Sequence, residues 1–303
     1  MQTTLRATNI GQVAYGTLES LKAGSFGEIV NCFSNSFYIR TPDEELVFVT
    51  SRHLKSPVTI NLDSMVDFEH SLKPLDPVFY EQPELRVGDN LTIDVSGATT
   101  QASQLDLSVL RIETLREELY IATTILAILD THQSVLDDRS LAYEGAKQFV
   151  FTGILPLRDS NNTELFRKAA GGIVGLGAGF TPSGDDVLAG FLATYNSLSR
   201  AMSRPKILMD FEFLKKNTGW ISAKLLDYMQ REVVDDQVAH LIRSAGSEDK
   251  DEFIIALEGL LPRGHTSGVD IAVGSILAVA LLLDVSKNGH ETEAIVRKLG
   301  LSH

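Results

Sequence analysis

The residues best suited to chemistry lie in one run, Gly175-Leu176-Gly177-Ala178-Gly179-Phe180-Thr181-Pro182-Ser183-Gly184-Asp185-Asp186. Glycine gathers where backbone must bend sharply or approach something closely. Unblocked N–H groups leading into a helix start make a binding place for an anion. Gly177, Gly179, Thr181, Ser183 and Gly184 are therefore candidate substrate-binding residues, and Asp185 and Asp186 candidate catalytic acids. The run lacks the Gly-Lys-Thr/Ser ending of a P-loop, and position 180 is Phe where the dinucleotide fingerprint needs glycine.

A second segment echoes the first. Arg263-Gly264-His265-Thr266-Ser267-Gly268-Val269-Asp270 repeats Ser-Gly-x-Asp, and a glycine follows four residues later in both copies, at Gly190 and Gly274. Ser267, Gly268 and Asp270 join the candidate substrate-binding set. His265, in a glycine-flanked loop beside a helix start, is the best acid–base candidate among the histidines.

A purely structural account covers part of this pattern. Ser183 and Ser267 are good N-caps, and Asp186 and Asp270 stand where a capping box would put its acid. Gly190 and Gly274 would let two helices pack closely. A cap does not need three alternating glycines ahead of it, however, nor a second acid at Asp185. A phosphate here would be repelled by Asp185 and Asp186 unless Arg263 and His265 supplied positive charge or a magnesium ion bridged acid and phosphate. Alternatively the acids accept hydrogen bonds from a ligand N–H, which suits a small substrate with an anionic end and an amide end. Thr218 and Ser222 put two hydroxyls on one helix face, for which capping or exposure is the expected role; Ser34 and Ser36 stay undecided.

The elements around these residues fall into two groups. Phe37–Ile39, Leu46–Val49, Val58–Leu62 and Leu91–Val95 read as short strands. From about residue 110 the apolar spacing is helical, through Leu115, Leu119, Ile125 and Leu126. Leu165–Ala170, Val187–Leu198, Ile221–Met229, Val234–Ile242 and Phe253–Leu261 read as further helices, and Asp270–Asp284, apolar all round, as the most deeply buried one. The expected fold is α+β, a small mainly-β domain over 1–102 followed by a larger mainly-α domain over 103–303 that carries the loop.

Composition bounds the partners. The chain has 303 residues, 44% hydrophobic and 22% charged, which suits an ordinary globular protein. The net charge of −13, without a Lys/Arg cluster, argues against nucleic acid and against an anionic membrane surface. The apolar run Ile271–Leu283 is shorter than the ~20 residues that span a bilayer. Cys32 is the single cysteine, so no intrachain disulfide forms, and a buried apolar role is expected for it. The N-terminus lacks the apolar core of a secretion signal, and a cytoplasmic location is the expectation.

The segment Gly-x-Gly-x-Gly-Phe-Thr-Pro-Ser-Gly-Asp-Asp resembles the bacterial family that contains the AllH-type subunit of oxamate carbamoyltransferase. The Ser-containing β region, Thr218 and Ser222, and the late Gly-His-Thr-Ser-Gly-x-Asp segment carry the resemblance along the chain. Phe180 stands where an aliphatic residue is expected, and Ala178 where proline is common. The resemblance implies carbamoyl transfer between carbamoyl phosphate and oxamate, in allantoin and purine nitrogen catabolism, alongside other subunits of a hetero-oligomeric enzyme. Two other readings stay open: a non-catalytic subunit that binds a small anion or assists assembly, and a stand-alone magnesium-dependent enzyme using Asp185, Asp186 and Asp270.

Overall fold

The computed structural model describes residues 3–20, 24–101, 105, 111–129, 132–160, 162–200, 202–287 and 289–302. The chain divides into two compact units. The first holds Met1–Gln104 with Val234–Asp236; the second holds Leu105–Val233 with Gln237–His303. The boundary expected at 102–103 lies outside the described residues.

The first unit is a strand-rich barrel. Its strands are β1 (Thr3–Gly11), β2 (Gly24–Phe33), β3 (Ser36–Arg40), β4 (Leu46–Thr50), β5 (Thr59–Leu62), β6 (Pro77–Glu81), β7 (Glu84–Val87), β8 (Leu91–Asp94) and β9 (Thr99–Gln101). They run in the order β5-β4-β3-β2-β6-β7-β8-β1-β9, and a β5–β1 pairing closes the ring. β1 is the seam: Thr3–Arg6 pair in parallel with Leu91–Asp94, and Ala7, Asn9 and Ile10 pair antiparallel with Leu62, Asn61 and Ile60. Closure leaves fewer open backbone groups than a flat sheet would. Alternate residues fill the interior, as along β3, where Phe37 and Ile39 are fully buried. One helix, α1 (Gln12–Ser20), adds Ala14 and Leu18 to that core. Its first amides are satisfied by Pro57, whose carbonyl accepts from Val13 and Ala14 at 2.9 and 3.0 Å.

Cys32 on β2 is partly rather than fully buried, and burial pushes its thiol up to about 11. Ser34 lies in the turn between β2 and β3 and its carbonyl accepts from the Phe68 amide; Ser36 opens β3.

The second unit is helical. Its helices are α2 (Ile112–Ile128), α3 (Leu141–Phe149), α4 (Leu155–Ser160), α5 (Thr163–Ala170), α6 (Ser183–Ser199), α7 (Phe211–Asn217), α8 (Trp220–Gln230), α9 (Asp236–Ser244), α10 (Lys250–Leu260), α11 (Ser267–Lys287) and α12 (Glu291–Lys298). A π turn, Val150–Ile154, joins α3 to α4. The expected helices are all present, although Val234 and Asp235 precede α9 rather than belong to it. α6 and α11 form the centre. Every residue of α6 is buried, and α11 is buried from Asp270 to Asp284. α11 is long and apolar enough to cross a membrane by composition alone, but 89% of its most apolar window is buried inside its own chain.

Glycine sets how closely these two helices approach. A Cβ on Gly190 would strike the Ile271 carbonyl, and a Cβ on Gly274 would strike the Val187 carbonyl. The relationship is reciprocal. Each glycine lies seven residues after its motif serine and meets the residue four after the other serine. The echoed motif is therefore a paired structural device, and the crossing holds the two helix starts to one place. Phe149, Phe166, Phe191 and Tyr195 pack around α6, with ring centroids 5.0 Å apart for Phe166–Phe191 and 5.1 Å for Phe149–Phe166.

Candidate active site

The loop from Gly171 to Pro182 carries α5 into α6. Gly175, Gly177 and Gly179 have φ of 79°, 116° and 107°, a region that residues with a side chain rarely adopt, which accounts for the alternation. Space also demands glycine at Gly175, where a Cβ would strike the Asn217 carbonyl. The loop is braced from within, the Gly184 amide donating to the Leu176 carbonyl at 2.8 Å. The amides of Gly177, Ala178, Gly179, Thr181 and Ser183 make no hydrogen bond among the described residues. Positions 177–180 are exposed. A set of open amides preceding a helix start is suited to an oxyanion.

The two helix starts meet here. Thr181 Oγ1 donates to Asp186 Oδ2 at 3.0 Å and lies 3.2 Å from Ser267 Oγ. Asp186 and Asp270 are 6% and 0% exposed. Burial pushes Asp186 up to about 7; the Asp270 charge adds to this, while the Ser267 and Thr181 hydroxyls and the Arg263 cation oppose it. Burial likewise pushes Asp270 up to about 6, opposed by the Val135 amide and the hydroxyls of Ser183 and Thr266. Each acid thus feels the serine of the other motif. Asp270 Oδ1 accepts from the Val135 amide at 2.7 Å, while Oδ2 is buried with no hydrogen-bond partner.

The capping-box account of these residues fails. α6 begins at Ser183 with Pro182 as its N-cap and no side-chain cap bond. The Ser183 hydroxyl donates instead to the Gln133 carbonyl at 3.2 Å, and neither acid returns a bond to its own serine.

Asp185 is engaged elsewhere. Its carboxylate accepts from the Gly175 amide at 2.7 Å, from Ser222 Oγ at 2.6 Å and from Thr218 Oγ1. Burial raises its pKa and those three donors oppose the rise. Asp185 therefore ties the glycine loop to the start of α8. Thr218 and Ser222, expected to cap or to face solvent, are its ligands. Two adjacent acids are explained: one holds the loop and one faces the second helix start.

Gly268 packs its Cα against the Leu260 and Leu261 carbonyls, and Gly184 against the Ile173 carbonyl, so both serve close approach. His265 is exposed and makes no hydrogen bond or ion pair among the described residues. Arg263, two residues earlier, acts on Asp186 through its charge. Among the described residues no group of three or more His, Cys, Asp or Glu side chains is arranged to hold a metal ion. Asp186 and Asp270 offer two carboxylates, and Asp185 is occupied by its own donors. A magnesium ion bridging acid and phosphate would have Asp186 and Asp270 as its acids here.

Two family models match the chain. The model described as oxamate carbamoyltransferase subunit AllH matches residues 173–279, and the AllH family N-terminal domain matches residues 6–100. The chain belongs to the AllH family. No curated protein and no solved structure matches it. The first match spans the glycine run from Gly175, both serine motifs, Thr218 and Ser222, while Gln133 and Val135 lie outside it. Those two form a side of the AllH site that the sequence did not reveal. Gln133, at φ 66°, turns its carbonyl to Ser183, and the Val135 amide reaches Asp270. Backbone groups recruited from a turn leave no residue-type signature.

Proposed function

We propose that this chain is a subunit of an oxamate carbamoyltransferase complex, and that the loop at 175–183 with the Thr181, Asp186, Ser267 and Asp270 cluster is its reaction site. In this transfer the amide nitrogen of oxamate bonds to the carbonyl carbon of carbamoyl phosphate. The carbon–oxygen bond to phosphate breaks, phosphate leaves with that electron pair, and the nitrogen gives up one proton.

Each requirement has a matching group. The open amides of Gly177, Ala178, Gly179, Thr181 and Ser183 suit the phosphate oxygens and the developing oxyanion. Arg263 supplies positive charge beside Asp186. Asp186, raised to about 7, can accept the nitrogen's proton and return one to phosphate at neutral pH, and the Thr181 and Ser267 hydroxyls beside it can carry the proton or orient the amide. Holding both reactants against one loop contributes through proximity. The family description calls its member a subunit, which supports partner chains in the complex.

The observation that carries this reading is the meeting of Thr181 and Ser267 over buried Asp186. Each ionisation of a buried acid costs free energy, so two buried acids at an open loop, with Asp270 raising the pKa of Asp186, support a reaction site. The test is Asp186→Asn in the reconstituted complex. Transfer is expected to fall by about 10²-fold or more, with the variant still folded and assembled. Unchanged transfer overturns the assignment and leaves this chain as a subunit that presents the anion without reacting on it.

A further inference from the structure

A second group of charged residues lies at the far end of the α6–α11 pair. α6 has 17 residues, so its ends are about 25 Å apart at 1.5 Å per residue. Arg204 follows the C-terminal end of α6, and Asp284, Gly289 and His290 gather where α11 gives way to α12. With Arg158 and Asp159 these residues line one open cleft.

The segment carrying Arg204 is fixed at both ends. The Arg204 amide donates to the Ser199 carbonyl at 2.9 Å. Three residues on, the buried Asn196 side chain accepts from the Ile207 amide at 2.8 Å and donates to the Ile207 carbonyl at 2.8 Å and the Gln230 carbonyl at 2.7 Å. Arg204 is therefore held in place by backbone bonds, not by its own charge.

The charges of the cleft do not balance around it. Arg158 is satisfied by Asp159 at 2.6 Å and Glu293 at 2.5 Å. Asp284 is committed to the start of α12, where its two oxygens accept from the Glu291 and Thr292 amides at 2.5 and 3.0 Å. Arg204 makes no ion pair among the described residues, and its Nε is buried without a hydrogen-bond partner. In a chain with 40 acids against 27 Lys and Arg, a guanidinium beside a carboxylate-lined cleft could easily have been given a protein partner. A buried donor left open costs free energy, and a planar fork of donors matches an oxyanion edge.

We propose that Arg204 is the anchor of a second anion site, with Arg158 and His290 on its rim, that takes a small oxyanion: a phosphate or a carboxylate. The site stands apart from the glycine loop and does not depend on that loop's assignment. It gives the α6–α11 pair an anion-responsive group at each end.

The test is calorimetric titration of the full chain with inorganic phosphate and, separately, with oxalate, for wild type and Arg204→Gln. Wild type is expected to bind at least one of them at this site, and whichever binds identifies the ligand as phosphate-like or carboxylate-like. Arg204→Gln is expected to weaken that event by about tenfold or more. A folded Arg204→Gln chain that binds both anions as wild type does overturns the proposal. If the variant does not fold, phenylglyoxal labelling of wild type with peptide mass mapping decides. The expected result is Arg204 labelling that slows about tenfold in saturating anion. Labelling unaffected by either anion, or no labelling in anion-free buffer, overturns it.

Discussion

Thr181 Oγ1 lies 3.2 Å from Ser267 Oγ, a contact between the glycine loop and the start of α11 across 86 residues of sequence. Both hydroxyls lower the pKa of Asp186, so removing either leaves the acid harder to ionise. Ser267→Ala is expected to move the acidic limb of the transfer pH profile upward by up to about one unit, and Thr181→Val to move it the same way by less. Transfer rates of the reconstituted complex across pH check this; a limb that stays in place separates these hydroxyls from the titrating group.

Asp185 holds the loop through three donors, so its loss should appear first as instability. Asp185→Ala removes the acceptor of three donors, and the expected cost is about 3 kcal/mol or more. Ser222→Ala and Thr218→Val should each cost about 1 kcal/mol. Urea unfolding of the three variants checks the order. Because the donors share one carboxylate, the two smaller effects should not simply add.

The helix crossing has no room for a methyl group. Gly190→Ala and Gly274→Ala each press a Cβ into a backbone carbonyl of the partner helix. Each is expected to cost about 2–3 kcal/mol, because overpacking displaces whole helices and not one flexible side chain. Gly16→Ala, on α1 where a Cβ meets nothing within 4 Å, should be near neutral or stabilising. Thermal melts of the three variants give the comparison.

Stability should fall as pH rises toward neutrality. The folded-state values for Asp186 and Asp270, about 7 and about 6, lie above that of an ordinary aspartate. Between about pH 4 and pH 7 the folded chain therefore binds more protons than the unfolded chain, and unfolding free energy decreases through that window. Asp186→Asn keeps the shape of the protonated acid and removes its ionisation. It should flatten the decline and stabilise the chain at pH 8 by a few kcal/mol relative to wild type. A variant that retains the full wild-type slope would show that Asp186 is not the titrating group.

Much of the helical unit was legible because burial and period agree. The all-apolar face of Ile271–Leu283 can only be central, and it is. The barrel was half legible. The β6–β7 hairpin was missed because Phe79, on its outer face, is apolar and 44% exposed, which hides the alternation that buries Val78 and Tyr80. α1 was missed because Gly16 and Thr17 make a weak helix that the barrel core holds in place. At the site, alternating glycines and doubled acids identified the loop, since few backbones require both. Sequence could not divide labour between Asp185 and Asp186, because that depends on Thr218, Ser222 and Ser267 arriving from distant turns. It favoured His265 for its residue type; the structure leaves that side chain exposed, and the Arg263 charge opposes the rise in the Asp186 pKa.

The placement of β1 orders events during synthesis. Its nine residues are made before both neighbours that seal the ring, β5 and β8, and β8 ends only at Asp94. Until then the nascent segment carries an unpaired edge, the kind of surface that invites pairing with another chain. Slow translation between β1 and β8 would prolong that interval, so crowding of growing chains is the stage at which this fold is most exposed to error.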